Sequence, residues 1–278
     1  MTLPHYAVLG APVAHSLSPR IHAEFARQCG IDMLYVAIDT AADGFDATLE
    51  RFQRAGGIGA NVTAPDKIAA AAAAQSLSPR ARRAGAVNTL AWRESHWHGD
   101  ITDGSGLIRD LRERREVDLF HKRVLMLGAG GAARAVAPAL LDADIAQLVV
   151  ANRTRANAWD LVDQLHDSER AIACTLEELP GMGSFDLVLS AVPPGEDGSI
   201  PDYPPSILGD ETTAIDLNYG ARALPFLAWA RNHGCTRTSD GLGMLVEQAA
   251  DSFELWHGVR PQTETVYTQL RMGGSLAG

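Results

Sequence analysis

Lysine is nearly absent from this 278-residue chain: its 24 basic residues are 22 arginines and two lysines, Lys67 and Lys122. Arginine is never deprotonated in practice, so a lysine kept in such a chain marks a place that needs a titratable amine. Cysteine is scarce too. Cys29, Cys174 and Cys235 stand far apart, suggesting neither a disulfide framework nor the paired spacing of a zinc site. No His, Cys, Asp or Glu cluster has ligand spacing, and no metal is expected. There is no run of about 20 apolar residues to cross a membrane. The opening MTLPHYAVLG lacks the basic start and long apolar stretch of an export signal, so a cytoplasmic protein without a membrane partner is expected. Excess positive charge is missing as well. A net charge of −10 argues against a nucleic-acid partner, and any anionic ligand must meet a local positive pocket.

An apolar fraction of 46% and a charged fraction of 21% belong to an ordinary globular protein. The length favours two domains. Short apolar runs alternate with helical patterns, the signature of an α/β protein with parallel sheets. Strands are predicted at Tyr6–Leu9, Leu34–Ile38, Gly59–Val62 and Val87–Trp92, with helices near Arg20–Cys29, Phe45–Arg54 and Lys67–Ala74. Ser18-Pro19 reads as a helix start, with serine as N-cap and proline at the first helical position. A cleaner rhythm follows: strand Val124–Leu127, helix Ala132–Leu141, strand Leu148–Ala151, helix Ala156–His166, strand Leu187–Ala191 and a further strand at Ala214–Leu217. Helices near Phe226–Asn232, Met244–Trp256 and Glu264–Leu270 close the chain.

The run Gly128-Ala129-Gly130-Gly131-Ala132-Ala133 fits the G-x-G-x-x-G/A fingerprint between a strand and a helix. Gly128 permits the tight turn and Gly130 lets backbone approach a pyrophosphate, which the following helix N-terminus favours. About 20 residues past such glycines, NAD sites carry an acidic residue for the ribose hydroxyls. Asn152-Arg153-Thr154-Arg155 stands there instead. Two arginines suit a 2′-phosphate, so the cofactor is expected to be NADP.

Polar clusters mark the predicted strand ends, where open α/β sheets bind ligands. They are His15-Ser16-Leu17-Ser18-Pro19, Asn61-Val62-Thr63-Ala64-Pro65-Asp66-Lys67, Gly85-Ala86-Val87-Asn88-Thr89 and Asp100-Ile101-Thr102-Asp103-Gly104. Any one of them, alone, also reads as a cap or a turn.

Together with GAGGA at 128–132, NRT at 152–154 and DGLGMLVEQA at 240–249, these motifs, in this order over nearly the whole chain, resemble shikimate dehydrogenase. The resemblance implies two α/β domains: a substrate domain with a mainly parallel sheet over 1–103 and 239–278, and a Rossmann-type NADP domain over 104–238, with the active site in the cleft between them. It implies reversible NADPH-dependent reduction of 3-dehydroshikimate to shikimate, in the route to chorismate and the aromatic amino acids, by a monomer or homodimer. Lys67 and Asp103 become the catalytic pair. Ser16 and Ser18 would meet the substrate carboxylate, with Tyr219 nearby, while Thr63, Asn88 and Gln248 would face the ring. Ala191, Leu217 and Gly241 would line the cofactor beside the glycine loop and residues 152–155.

Hydride transfer to a ketone builds negative charge on its oxygen, so a donor must sit there and deliver a proton. Lys67 can do so with Asp103 orienting its amine. The chain departs from the family pattern at Ala64 and Asp66, at Ile101 in place of an asparagine, at Pro193-Pro194 near the nicotinamide, and at Asn157, where a second arginine is common. A quinate/shikimate dehydrogenase with relaxed cofactor use, or a non-catalytic shikimate-binding sensor, are the alternatives on the same scaffold.

Overall fold

The computed structural model describes residues 5–273. The outermost ends of the expected substrate domain, 1–4 and 274–278, lie outside them. The chain divides into two compact units, Met1–Leu107 with Leu245–Gly278, and Ile108–Met244.

The first unit is built on β1 (His5–Gly10), α1 (Ser18–Cys29), β2 (Leu34–Asp39), α2 (Phe45–Arg54), β3 (Gly57–Val62), α3 (Lys67–Ala73), β4 (Ser76–Leu77), α4 (Pro79–Ala84), β5 (Thr89–Arg93), β6 (His96–Asp100) and α5 (Asp103–Arg109). Its sheet runs β2-β1-β3-β5-β6-β4. The pairs β1/β2, β1/β3 and β4/β6 are parallel, and β5 lies antiparallel to both of its neighbours.

Helix α1 does not begin as expected. Leu17 is its N-cap, no side chain caps it, and Ser18 is already inside the first turn. Ser18 is 5% exposed, so its hydroxyl faces inward and is unavailable to the first-turn N–H groups. Gly30, at φ 64°, ends the helix in the left-handed conformation that glycine adopts without a Cβ penalty. The apolar face of α1, Ile21 and Phe25, packs on Val246, Ala249, Ala250 and Phe253, each large side chain contributing about 1.5–3 kcal/mol of burial. The strand expected from Val87 starts only at Thr89. Val87 and Asn88 instead direct their backbone N–H groups to the carbonyls of Lys67 and Asp100.

The second unit comprises β7 (Arg123–Leu127), α6 (Gly131–Asp142), β8 (Gln147–Ala151), α7 (Arg155–Leu165), β9 (Ala171–Cys174), β10 (Phe185–Ser190), β11 (Leu208–Asp216), α8 (Leu224–Asn232) and β12 (Arg237–Asp240). The strand order is β12-β11-β10-β7-β8-β9, and every pair is parallel. Burial on both faces explains the apolar runs of β7 and β8, whose residues 124–127 and 148–151 are wholly enclosed. After β7 the chain winds outward through β8 and β9, then returns to the other side of β7 with β10. The β7/β10 seam is therefore the topological switch point, where doubly wound sheets receive ligands at the carboxyl ends of their strands.

The chain leaves and re-enters the first unit within helices, α5 and then α9 (Leu242–His257); α10 (Glu264–Arg271) follows. Residues 239–244, expected with the substrate domain, group with the nucleotide-type unit because Ser239 and Asp240 pair with β11.

Candidate active site

In the first unit the two residues of the expected catalytic pair are the first residues of helices. Lys67 opens α3 and Asp103 opens α5, and Lys67 Nζ lies 2.8 Å from Asp103 Oδ2. The carboxylate suits the positive end of a helix, whereas the ammonium is disfavoured there, so Asp103 neutralises a charge that helix propensity would not have placed. The backbone carbonyl of Lys67 accepts from Val87 N–H at 2.9 Å, tying α3 to the loop that carries Asn88.

Asn88 is buried and held by hydrogen bonds on both of its amide atoms. Its Nδ2 donates to Gln248 Oε1 at 3.0 Å and to Thr102 Oγ1 at 2.9 Å, and its Oδ1 accepts from Thr102 N–H at 2.8 Å. Thr102 immediately precedes Asp103, so the same contacts that orient Asn88 also fix the backbone entering α5. Gln248 Nε2 donates to the Leu245 carbonyl within α9.

Behind these residues runs a buried polar network absent from the expected site. Asn61 Nδ2 donates to Ser252 Oγ at 2.9 Å, Thr89 Oγ1 lies 2.7 Å from Ser252 Oγ, and Tyr35 donates its phenol hydrogen to Asn61 Oδ1 at 2.7 Å. Burial pushes the Tyr35 hydroxyl well above its ordinary value, while a hydrogen bond from Ser18 opposes the shift. Ser16 Oγ accepts from Ser18 N–H at 3.2 Å. Hydrogen bonds thus lead from the Ser16–Ser18 loop through Tyr35 and Asn61 to Ser252, Thr102, Asn88 and Gln248. Sequence offered one signal for Ser252: it lies four residues after Gln248, on the same face of α9, and donates to the Gln248 carbonyl. Thr63 sits against the end of β1, where a Cβ on Gly10 would come within 2.4 Å of its methyl group.

Two departures from the family pattern find structural partners. Asp66 Oδ2 accepts from Thr40 Oγ1 at 2.6 Å, which turns its carboxylate away to a hydroxyl. Ile101 is 3% exposed, and its N–H is held by Asp100 Oδ1 at 2.8 Å. Asp100 is in turn forked by Arg80 through two contacts of 2.7 Å. These contacts and Ser78 hold its carboxyl below its ordinary value against the opposing effect of burial, which is the largest influence on it.

In the second unit, five of the residues expected to line a cofactor follow directly on strands: Gly128 after β7, Asn152 after β8, Ala191 after β10, Leu217 after β11 and Gly241 after β12. All lie at the carboxyl edge of the parallel sheet. Their backbone N–H groups continue the ladder, with Gly128 donating to Ala151, Ala191 to Leu127 and Leu217 to Ser190, each at 2.8 Å.

Gly128 adopts φ +101°, and a Cβ there would meet Val192 Cγ2 at 2.9 Å. A Cβ on Gly130 would meet only open space, so backbone is exposed to an incoming group at that point. Gly130 is also the N-cap of α6 and no side chain caps that helix. Beside this loop lies a cavity of about 590 Å³ lined by Gly128, Asn152, Arg153, Thr154, Asn157 and the Val192–Tyr203 loop with its Pro193. A tight turn at Gly128, open backbone at Gly130, a helix N-terminus and a cavity walled by Arg153 fit a dinucleotide carrying a phosphate on its adenosine ribose. Gly241 approaches Leu217 so closely that a Cβ would lie 2.3 Å from its carbonyl oxygen, and Gly241 N–H donates to Asn218. Tyr219, three residues after β11, stands at the N-cap position of the short helical turn 220–223 without a side-chain cap. Arg155, expected beside Arg153, is not in the cavity wall and pairs with Glu178 at 3.2 Å.

Three family models match in succession: "Shikimate dehydrogenase substrate binding domain" over residues 8–90, "Shikimate / quinate 5-dehydrogenase" over 110–195 and "Shikimate 5'-dehydrogenase C-terminal domain" over 241–271. A protein of Stenotrophomonas maltophilia named shikimate dehydrogenase (NADP(+)) is 55% identical, with 98% of this chain and 97% of that protein covered. The crystal structure of Thermus thermophilus shikimate 5-dehydrogenase in complex with NADP(H) and shikimate superposes with a TM-score of 0.83 at 35% identity, covering 97% of this chain and 99% of that one. The ligand-free 5-ketofructose reductase of a Gluconobacter strain superposes at 0.80 with 28% identity, covering 98% and 99%, so the scaffold also serves another carbonyl substrate. Family models spanning most of the chain and identity above one half along nearly its whole length place it firmly: the chain belongs to the shikimate dehydrogenase family.

Proposed function

We propose that this protein is an NADP-dependent shikimate dehydrogenase, catalysing the reversible reduction of 3-dehydroshikimate to shikimate. The observation that carries the reading is the enclosed Lys67–Asp103 pair at 2.8 Å, set beside a polar network that ends on Asn88 and Gln248. The first unit carries the substrate residues other than Tyr219, and the second carries Tyr219 and the cofactor residues.

The chemistry that bound NADPH would supply is a hydride for the substrate's carbonyl carbon, returned to NADP in the reverse direction. Lys67 holds the reacting oxygen through Nζ, donating a proton as the oxygen becomes an alkoxide and recovering one in the reverse direction. Asp103 anchors the ammonium so that its N–H points at that oxygen. Ser16 and Ser18 receive the substrate carboxylate, with Tyr219 contributing, and Thr63, Asn88 and Gln248 meet the ring hydroxyls. The backbone of Gly128–Ala132 and the start of α6 would hold the pyrophosphate, Arg153 and Thr154 the 2′-phosphate, and Ala191, Leu217 and Gly241 the nicotinamide end.

The test is the initial rate of NADPH formation with shikimate or quinate as substrate and NADP or NAD as acceptor. Turnover confined to shikimate with NADP is the expected result. Turnover centred on quinate with NAD would contradict the reading, as would ligand binding without turnover.

A further inference from the structure

The sequence places two arginines at the adenosine end of the cavity, yet only one faces it. Arg153 lines the cavity with Asn152, Thr154 and Asn157. Arg155, the first residue of α7, places its Nη1 3.2 Å from Glu178 Oε1. The other oxygen of Glu178 accepts the Thr175 N–H at 2.7 Å, which fixes the carboxylate over the turn following β9. Both partners are partly exposed, Arg155 at 56% and Glu178 at 39%, so the pair is held by geometry rather than by burial and can be exchanged. Leu176, two residues before Glu178, belongs to the cavity wall, as do Thr154 and Asn157 on either side of Arg155 in the chain, so the Arg155–Glu178 pair borders the cavity.

We infer that Glu178 is a specificity-determining residue: it holds Arg155 away from the cofactor's 2′-phosphate, leaves that phosphate to Arg153, and so lowers the preference for NADP over NAD. The inference rests on the proposal that this cavity takes the 2′-phosphoadenosine end of NADP. A carboxylate beside a phosphate site acts in two ways. It competes for the guanidinium, and it repels the incoming dianion. Only the first needs Arg155, which gives the claim a distinguishing test.

The probes are adenosine 2′,5′-bisphosphate and adenosine 5′-monophosphate, titrated calorimetrically against the full chain and four variants. Glu178→Gln keeps an oxygen for the Thr175 N–H and removes the charge. It should tighten the bisphosphate about three- to fivefold, the range of an exposed ion pair, and leave the monophosphate within about twofold. Arg155→Gln alone should change the bisphosphate by less than about twofold, whereas Arg153→Gln should weaken it about tenfold, the scale of a charge-assisted contact. In the double variant Glu178→Gln/Arg155→Gln the gain should vanish, because the coupling term isolates the contribution that runs through Arg155. A gain that survives in the double variant, or no gain in Glu178→Gln, would overturn the inference while leaving the cofactor reading intact. Failure of the parent protein to bind either nucleotide would overturn the cofactor reading and this inference with it.

Discussion

Ser252 Oγ stands 2.9 Å from Asn61 Nδ2 and 2.7 Å from Thr89 Oγ1, joining a helix near the end of the chain to two strands near its beginning. The serine is fully enclosed, and its other contacts reach Thr102, the residue before Asp103, at 3.2 Å, and the Gln248 carbonyl at 3.0 Å. Removing the hydroxyl strands buried polar partners on both sides. Ser252→Ala is expected to cost about 1–3 kcal/mol in a urea unfolding series. It should also raise the KM for shikimate more than it lowers kcat, because Asn88 and Gln248 lose part of their support. Unchanged stability and KM would show that the network does not position the site.

Gly128 tests the cofactor loop. Its φ of +101° and the 2.9 Å approach of Val192 to a would-be Cβ mean that alanine can be accommodated only by shifting the turn. Gly128→Ala is expected to weaken NADP about tenfold, on the scale of about 1–3 kcal/mol for a strained backbone position, in a fluorescence titration of the cofactor. Shikimate binding measured separately should stay within about twofold, since additive effects are the rule for separated sites. Equal losses for both ligands would point to general unfolding instead.

His22 contributes to the pH dependence of stability. Burial pulls its imidazole from 6.5 down to about 3, the His257 ring adding to the shift and the Asn61 side chain opposing it. The unfolded chain therefore takes up a proton below pH 6.5 that the folded state refuses until about pH 3. Its contribution is fully present above pH 6.5 and is lost as the pH falls toward 3, which amounts to about 2–3 kcal/mol at pH 4.5. Phenylalanine can keep the stack on Tyr35, whose ring lies parallel at 4.3 Å. His22→Phe should thus lose markedly less stability than the parent between pH 7.5 and pH 4.5 in urea midpoints. Equal losses would remove His22 as the cause.

Much of this architecture is legible from residue order because local physics dictates it. The amphipathic spacing of Phe45–Arg54 gives a helix over those same residues, and the glycine run after Val124–Leu127 gives the turn into α6. Short or polar strands escape such reading: β4 has two residues, and β6, HWHGD, has tryptophan as its one large apolar residue, with Gly99 and Asp100 at its other buried positions. Their pairing comes from neighbours already in the sheet. At the site, Lys67, Asn88 and Asp103 announce themselves through residue type and motif. The support from Tyr35, and the diversion of Arg155 to Glu178, depend on contacts between segments far apart in sequence, which no local pattern encodes, and Ser252 shows locally only through its spacing from Gln248. Ser18 shows the converse: its Ser-Pro context suggests a cap, but an inward-facing hydroxyl cannot reach the helix N–H groups.

The most direct test of the central claim is the turnover of Lys67→Ala with shikimate and NADP, measured beside the binding of shikimate to the same variant. In the proposed mechanism Lys67 Nζ meets the reacting oxygen, and it lies 2.8 Å from Asp103 Oδ2. kcat should fall by about 10²–10⁴, the scale of a lost general acid–base group, while the shikimate dissociation constant changes by only about threefold or less, because Ser16, Ser18, Asn88 and Gln248 remain to bind it. A variant that turns over within about tenfold of the parent, or one that loses binding and rate in equal measure, would contradict the assignment of proton transfer to the Lys67–Asp103 pair.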